Sequence, residues 1–151
     1  MRRLYLGVVL ALAACGSGAR QDGAADSVRA TAGAGGEGEG DLTGTAWQLE
    51  DLGGRGVIDN SMVTLEFPEA GRAAGRGGCN RFFGSVELNG ESIKFGQMGA
   101  TRMACAEALM DQEGRYLKAL ESAQRYTMSG DELLLHAPGL DKPLRFTRMT
   151  P

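Results

Sequence analysis

The sequence predicts a mainly β protein of the α+β class, in which a small antiparallel, barrel-like sheet carries one packed helix in a single domain. Two observations predict this fold. Short β-rich segments recur between glycine-rich breaks from residue 45 to residue 148. One stretch, residues 106–123, instead has apolar residues at helical spacing. The domain is therefore expected to occupy residues 41–150.

The strands are predicted from alternation and from turn residues. Val63, Leu65 and Phe67 alternate with polar residues, as in a strand with one buried face. Asn89-Gly90 and Ser129-Gly130-Asp131 supply hairpin turns. Sequential hairpins favour a curled sheet or small barrel, because closure removes exposed strand edges. The predicted strands are 45–51, 62–67, 73–80, 85–89, 92–95, 125–129, 132–136 and 143–148.

The helix is predicted from Leu109, Leu117 and Leu120, which share one face of the stretch 106–123. Glu113 leans toward that apolar face, where a carboxylate needs a partner. A structural ion pair or a capping role is expected there rather than general-base catalysis.

Several large apolar residues are expected to form the core. Trp47 is predicted to anchor the first strand, and the methionines Met98, Met103 and Met110 are predicted to pack beside aromatic residues. The continuous run Leu133–Leu135 predicts a strand that is covered on both faces.

The N-terminus resembles a bacterial lipoprotein signal. Arg2 and Arg3 precede a short apolar segment, and Leu12-Ala13-Ala14-Cys15 ends it. This order resembles the lipobox, in which the cysteine is acylated, for example with palmitate, and becomes the mature N-terminus. An ordinary signal peptide with a chance cysteine is the alternative. Residues 1–14 are therefore predicted to be the signal peptide.

Residues 15–40 are predicted to be the lipidated Cys15 followed by a flexible glycine- and alanine-rich linker. Membrane attachment is expected through the lipid. The formal net charge of −3 makes nucleic acid a poor partner. Gly16 stands where an aspartate would favour the inner membrane in enteric bacteria, so the expected location is the outer membrane, facing the periplasm.

Two further cysteines, Cys79 and Cys105, are a candidate disulfide, since an exported chain meets an oxidising compartment. Closing a loop of this length is worth about 3 kcal/mol in the chain-entropy model. A zinc site is the alternative, but His136 is the single histidine and neither cysteine belongs to a C-x-x-C pair. No metal or other cofactor is expected.

Three segments together resemble the META domain, the family of HslJ-like bacterial proteins. The run 77–84 (GGCNRFFG) resembles the family's GCNR signature, and the run 100–105 (ATRMAC) resembles its second signature. The run 44–49 (GTAWQL) resembles its usual opening strand. The resemblance implies a small β-rich barrel with a helix, structural roles for the residues that match its motifs, and envelope proteins linked to heat stress, novobiocin resistance and secretion or motility. The matching residues are Gly78, Asn80, Arg81 and Thr101 in these runs, and Glu113, which fits the family's pattern further along the chain.

Two of the motif features, Gly77-Gly78 and Arg81, have either a structural or a ligand-binding interpretation. Gly77-Gly78 either turns a strand corner or lets backbone approach a ligand, and the corner is commoner. Asn80 is expected to hydrogen-bond local backbone. Arg81 either binds an anion or, as favoured here, pairs with a helix carboxylate such as Glu113 or Glu107. No catalytic constellation is recognisable, so an enzyme is not expected.

The expected function is that of a non-catalytic, membrane-anchored envelope lipoprotein. It would act in envelope maintenance, stress response or antibiotic tolerance through contact with another envelope component. The alternative is a binding protein that holds a small apolar ligand in the barrel mouth.

Overall fold

The computed structural model describes residues 41–150. The predicted signal peptide, Cys15 and the linker up to residue 40 lie outside the described residues. Within this range the chain forms nine strands and one helix, and that helix is not long and apolar enough to cross a membrane. In chain order the elements are β1 (Thr45–Leu52), β2 (Val63–Phe67), β3 (Arg72–Gly77), β4 (Arg81–Asn89), β5 (Ser92–Phe95), β6 (Gly99–Ala100), α1 (Glu107–Ser122), β7 (Arg125–Ser129), β8 (Glu132–His136) and β9 (Leu144–Arg148).

Eight of the strands close into an antiparallel barrel. Neighbours run in the order β1-β2-β3-β4-β5-β7-β8-β9, and β9 pairs with β1 to complete the circle. The short β6 pairs with β4 outside this circle. The predicted barrel and its packed helix are confirmed. Closure leaves these strands little free edge for another chain to extend. The shortest seam joins β5 and β7, which pair in register only at Ser92 and Arg125.

Two strand boundaries differ from the prediction by more than one residue. The predicted strand 73–80 ends at Gly77, and β4 begins at Arg81 rather than at residue 85. Between them the chain reverses, with Gly78 at φ 111° and the Gly77 N–H donating to the Asn80 carbonyl at 2.9 Å. The GGCN run is thus a hairpin turn, because positive φ at Gly78 cannot continue a strand. The two-residue β6 was not predicted.

The barrel interior is filled by side chains. Trp47 is fully buried, as predicted. Tyr116 of α1 packs edge-to-face on Phe82, with ring centroids 5.7 Å apart, and lies 6.3 Å from the Phe146 ring. Such pairs add to area burial. The other fully buried large side chains are Phe67, Leu42, Leu65, Ile93, Leu120, Leu133, Leu135 and Leu144.

Helix α1 closes one end of the barrel. The antiparallel register brings the last residues of β1, β3 and β8 to the same end as the first residues of β2, β4 and β9. Across this end α1 buries Tyr116, Ala119 and Leu120 against the strands. We call it the closed end.

Three predictions about apolar residues were wrong. Met103 and Met110 are 58% and 47% exposed, so they do not pack in the core, whereas Met98 is partly buried against it. Leu134 is partly exposed between the buried Leu133 and Leu135, so β8 is fully covered on one face only. The barrel explains this, because alternate side chains of each strand point outward.

Candidate functional site

The buried carboxylate of Glu113 connects α1 to the turn between β3 and β4. Its Oε2 accepts hydrogen bonds from the backbone N–H groups of Asn80 (2.6 Å) and Cys79 (3.3 Å). Its Oε1 accepts from Asn80 Nδ2 at 2.8 Å. Both oxygens of this carboxylate are therefore used by donors of one turn, which fixes the helix against the barrel.

Asn80 extends the same network to the segment before α1. Its Oδ1 accepts from the Met103 N–H at 2.7 Å and from Thr101 Oγ1 at 3.0 Å. Thr101 also donates its N–H to the Arg81 carbonyl, while its Oγ1 accepts from the Arg81 N–H. The Asn80 side chain thus bonds one distant backbone group, the Met103 N–H, and the side chains of Thr101 and Glu113, rather than the local backbone that was predicted. We call Asn80, Thr101 and Glu113 the helix clamp.

The two glycines of the motif make room for the clamp. A Cβ at Gly77 would lie 2.5 Å from Glu113 Cγ, which is closer than two carbon atoms that are not bonded to each other approach. Gly78 supplies the positive φ of the turn. Of the two interpretations of Gly77-Gly78, the structure fits the strand corner, since the group that approaches the backbone is the chain's own Glu113.

The disulfide predicted between Cys79 and Cys105 is present in the structure, with the two Cα atoms 6.1 Å apart. It joins the β3–β4 turn to the residues that precede α1, which begins at Glu107. The helix clamp and the disulfide therefore hold the same two parts of the chain together.

Gln112 and Tyr116 are further helix residues that bond the barrel, and sequence reasoning missed both. Gln112 Oε1 accepts from the Ile58 N–H at 2.8 Å, and its Nε2 donates to Ser61 Oγ at 2.9 Å. The Tyr116 hydroxyl donates to the Thr64 carbonyl at 3.1 Å, and burial raises the pKa of Tyr116 well above its usual range. Gln112 precedes Glu113 by one residue and Tyr116 follows it by three. This proximity to Glu113 was the sequence signal that could have predicted their contacts with the barrel.

The structure contradicts the predicted pairing of Arg81. Its backbone joins the network, but its side chain is exposed and forms no ion pair with Glu113 or Glu107. The physical reason is that the turn's own N–H groups already satisfy the Glu113 oxygens. Of the predicted site residues, Asn80, Thr101 and Glu113 are joined by hydrogen bonds, and Gly78 forms the turn that holds Asn80. The Arg81 side chain lies outside this group.

His136 lies apart from the clamp, at the end of β8. It is half-buried, and its Nε2 is buried without a hydrogen-bond partner among the described residues. Burial, with the Arg125 guanidinium adding to it, lowers the pKa of His136, while Glu91 opposes the shift. Residues 41–150 contain no cluster of three acidic, histidine or cysteine side chains that could hold a metal ion.

These features define a class of small proteins: a closed antiparallel barrel whose one end is plugged by a helix that a disulfide and a buried carboxylate fix in place. Residues 40–150 match the family model of the META domain, and the chain belongs to that family.

Solved structures resemble it too. A protein from Burkholderia xenovorans, solved by NMR, is 29% identical with a TM-score of 0.61, over 73% of this chain and 85% of that one. A second NMR structure is 23% identical with a TM-score of 0.58, over 70% of this chain and 90% of that one. A crystal structure of a DUF4847 family protein from Bacteroides vulgatus shares the fold at 13% identity, with a TM-score of 0.52 over 70% of this chain and 93% of that one. No curated protein matches the chain significantly.

Proposed function

We propose that this META-domain protein is a non-catalytic lipoprotein of the cell envelope. Cys15 carries the lipid, and the domain acts in envelope maintenance, stress or antibiotic tolerance by contacting another envelope component. One observation carries the proposal: the disulfide between Cys79 and Cys105 uses both remaining cysteines of the chain. Such a bond suits an exported protein, and Cys15 is then left for acylation.

The chemistry of the helix clamp supports a non-catalytic role. The oxygens of Glu113 and the side-chain oxygen of Asn80 accept hydrogen bonds from within the chain. A general acid or base needs a proton path to a substrate, and here the buried groups of the family motif bond to the protein itself. The family motif thus has a structural role, because its residues fix α1 to the turn between β3 and β4.

Exposed apolar side chains beside the closed end support contact with another molecule. Met62, Met103 and Met110 are each about half-exposed, at 52%, 58% and 47%, and Ile58 is 38% exposed. The loop that carries Ile58 and Met62 bonds Gln112, two residues after Met110. Flexible, polarisable methionines are used at protein-binding surfaces.

The test compares cells that produce the wild-type protein with cells that produce the Cys15→Ser variant. Membrane fractionation should find the wild type with the outer membrane, and the variant either soluble in the periplasm or as an unprocessed precursor. A deletion strain should lose tolerance to heat or to hydrophobic antibiotics, and the wild-type gene should restore it. Equal fractionation of both forms, or unchanged tolerance after deletion, would contradict the proposal.

The alternative of a small apolar ligand inside the barrel mouth is less well supported. Tyr116 and Leu120 of α1 fill the closed end, and Trp47, Phe82 and Phe146 fill the interior beneath them. A ligand there would have to displace well-packed side chains, which is unfavourable because overfilling a packed core costs about 1–3 kcal/mol. Native mass spectrometry that shows a retained small molecule would restore this alternative.

A further inference from the structure

A cleft lies on the outside of the barrel, at the closed end. Its volume is about 420 Å³, within the usual range for sites that bind small molecules. One wall is the second half of α1. The other walls are the loop that follows β1, with Gly53 and Arg55, and the loop between β8 and β9, residues 138–141.

The helix wall of the cleft is a single stripe. Arg115, Lys118, Ala119 and Ser122 line it, and they follow one another at intervals of three, one and three residues. Residues three and four apart share a face of a helix. The stripe therefore presents two cations and two small residues on one side, opposite the two loops.

The cleft carries an excess of positive charge. Arg55, Arg115 and Lys118 line it, against the single acidic residue Asp141. None of these three cations belongs to an ion pair among the described residues, where the pairs are Glu69–Arg72, Glu91–Arg125 and Asp131–Arg148. Arg115 Nε donates to the Asp111 carbonyl at 3.3 Å, which leaves the terminal nitrogens of its guanidinium for an anion.

Part of the cleft lining beside these charges is apolar. Leu52 and Ala119 are buried in its lining, Leu140 is half-buried, and Pro138 stands at its edge. A β-carbon at Gly53 would lie 3.1 Å from Leu140, so the two loops meet closely there. Apolar surface next to unpaired cations suits a molecule that is itself both apolar and negatively charged.

We propose that this cleft binds a small amphiphilic anion, an acyl chain with a carboxylate head group. The acyl chain of the ligand lies against Leu52, Ala119 and Leu140. Its carboxylate accepts hydrogen bonds from Arg115 and Lys118, with Arg55 on the other side of the cleft. The site differs from the barrel mouth considered above, because the ligand lies beside α1 and displaces no core side chain. It does not depend on how the chain is anchored.

Binding is measured on the full chain with Cys15→Ser, so that no attached acyl group competes. Decanoate below its micelle concentration is titrated while backbone amide signals are followed by NMR. Saturable shifts are expected at residues 52–55, 115–122 and 138–141. Decan-1-ol has the ten-carbon chain of decanoate without the carboxylate, and acetate has the carboxylate without the long acyl chain. Both should bind more weakly than decanoate, and added salt should weaken decanoate binding.

The charge is tested with the double variant Arg115→Gln, Lys118→Gln, and Arg145→Gln is the matched control. Arg145 is an exposed arginine of β9 outside the cleft. The double variant should bind decanoate roughly tenfold more weakly, because each exposed ion pair is worth up to about a factor of five. The control should bind like the parent chain, and circular dichroism should show all three folded.

Three results would overturn the proposal. The first is the absence of saturable shifts at the cleft residues. The second is equal binding of decanoate and decan-1-ol, which would mean that the charges have no role. The third is unchanged affinity in the folded double variant.

Discussion

Glu113 is a buried carboxylate whose partners within residues 41–150 are N–H groups rather than a cation. Hydrogen bonds to an ionised oxygen are shorter and stronger than neutral ones. Here they also join the helix to the one turn of the barrel that the family motif forms. The residue therefore positions α1, and its loss would leave the N–H groups of Cys79 and Asn80 without an acceptor.

We expect Glu113→Ala to lower the free energy of unfolding by at least about 2 kcal/mol, because each buried donor left unpaired costs about 1–3 kcal/mol. Glu113→Gln should cost less, since its amide oxygen can still accept. Urea unfolding of the oxidised protein measures both. Glu107→Ala, an exposed change in the first turn of the same helix, is the control. Equal stability of the Glu113 and Glu107 variants would mean that the clamp does not hold the helix.

His136 predicts a pH dependence of stability. Its pKa is lowered in the folded protein, chiefly by burial. Below its unfolded value of about 6.5 the unfolded chain therefore binds more protons, so stability should fall as the pH falls. The free energy of unfolding should decrease between about pH 7 and pH 5 in the wild type and should change less in His136→Gln.

The His136→Gln variant separates the contribution of His136 to the pH dependence of stability from that of the carboxylates. The pKa of Asp41, for example, is lowered from 3.8 by the N–H and hydroxyl of Thr43, so Asp41 titrates below this window. An identical pH slope in wild type and His136→Gln would contradict the prediction.

The sequence identified Asn80, Thr101 and Glu113 as residues that match the family motifs, but the hydrogen-bond partners predicted for Asn80 and Glu113 were wrong. The burial of Glu113 followed from its position between Leu109 and Leu117, which periodicity reveals. Its pairing with Arg81 was wrong because a backbone N–H has no signature in the sequence. The N–H groups of Cys79 and Asn80 reach Glu113 only because the GGCN run forms a turn. The outward position of Met103 and Met110 was likewise hidden, since methionine occurs both in cores and at surfaces.

At the scale of elements, the strands and the helix could be predicted almost completely. Alternation and hairpin turns located eight of the nine strands, and the helix Glu107–Ser122 lies within the predicted 106–123. The errors fall where the signal is weakest. The strand β6 has two residues, too few for any period. The break after Gly77 depends on contact with the helix, which lies more than 30 residues away.

Two glycines should respond to alanine in opposite ways. Gly114 lies exposed in α1, with open space where a Cβ would stand, so Gly114→Ala should stabilise the protein by up to about 1 kcal/mol. Gly77→Ala would place its Cβ 2.5 Å from Glu113 Cγ and should destabilise the protein. Thermal unfolding monitored by circular dichroism checks both. A stable Gly77→Ala variant would show that the helix can move away from the β3–β4 turn at little cost.

At the scale of the whole molecule, a disulfide and a plug of aromatic and aliphatic side chains complete a domain of modest size. The barrel follows from regular hairpins and could be predicted. The cleft beside α1 could not, because it is formed by two loops and a helix that are distant in sequence. The residues that line it, such as Arg55 and Lys118, carry no local motif.

Removing the disulfide should destabilise the folded domain without unravelling the barrel strands. The bond closes a loop with a sequence separation of 26 residues, and its loss in Cys79→Ala, Cys105→Ala should cost about 3 kcal/mol. The clamp should still hold the helix in place, so far-ultraviolet circular dichroism at low temperature should stay close to that of the wild type. A variant that is unfolded at low temperature would show that the clamp alone cannot position α1.

We propose that this chain is exported, is anchored by lipid and carries an oxidised META domain. Intact-mass spectrometry of the protein extracted from membranes tests this proposal. The expected mass is that of a chain that begins at Cys15, lacks residues 1–14, carries acyl groups on Cys15, and is two hydrogens lighter than its reduced form because Cys79 and Cys105 are joined. A mass that retains residues 1–14, an unmodified Cys15 or two free thiols would contradict it.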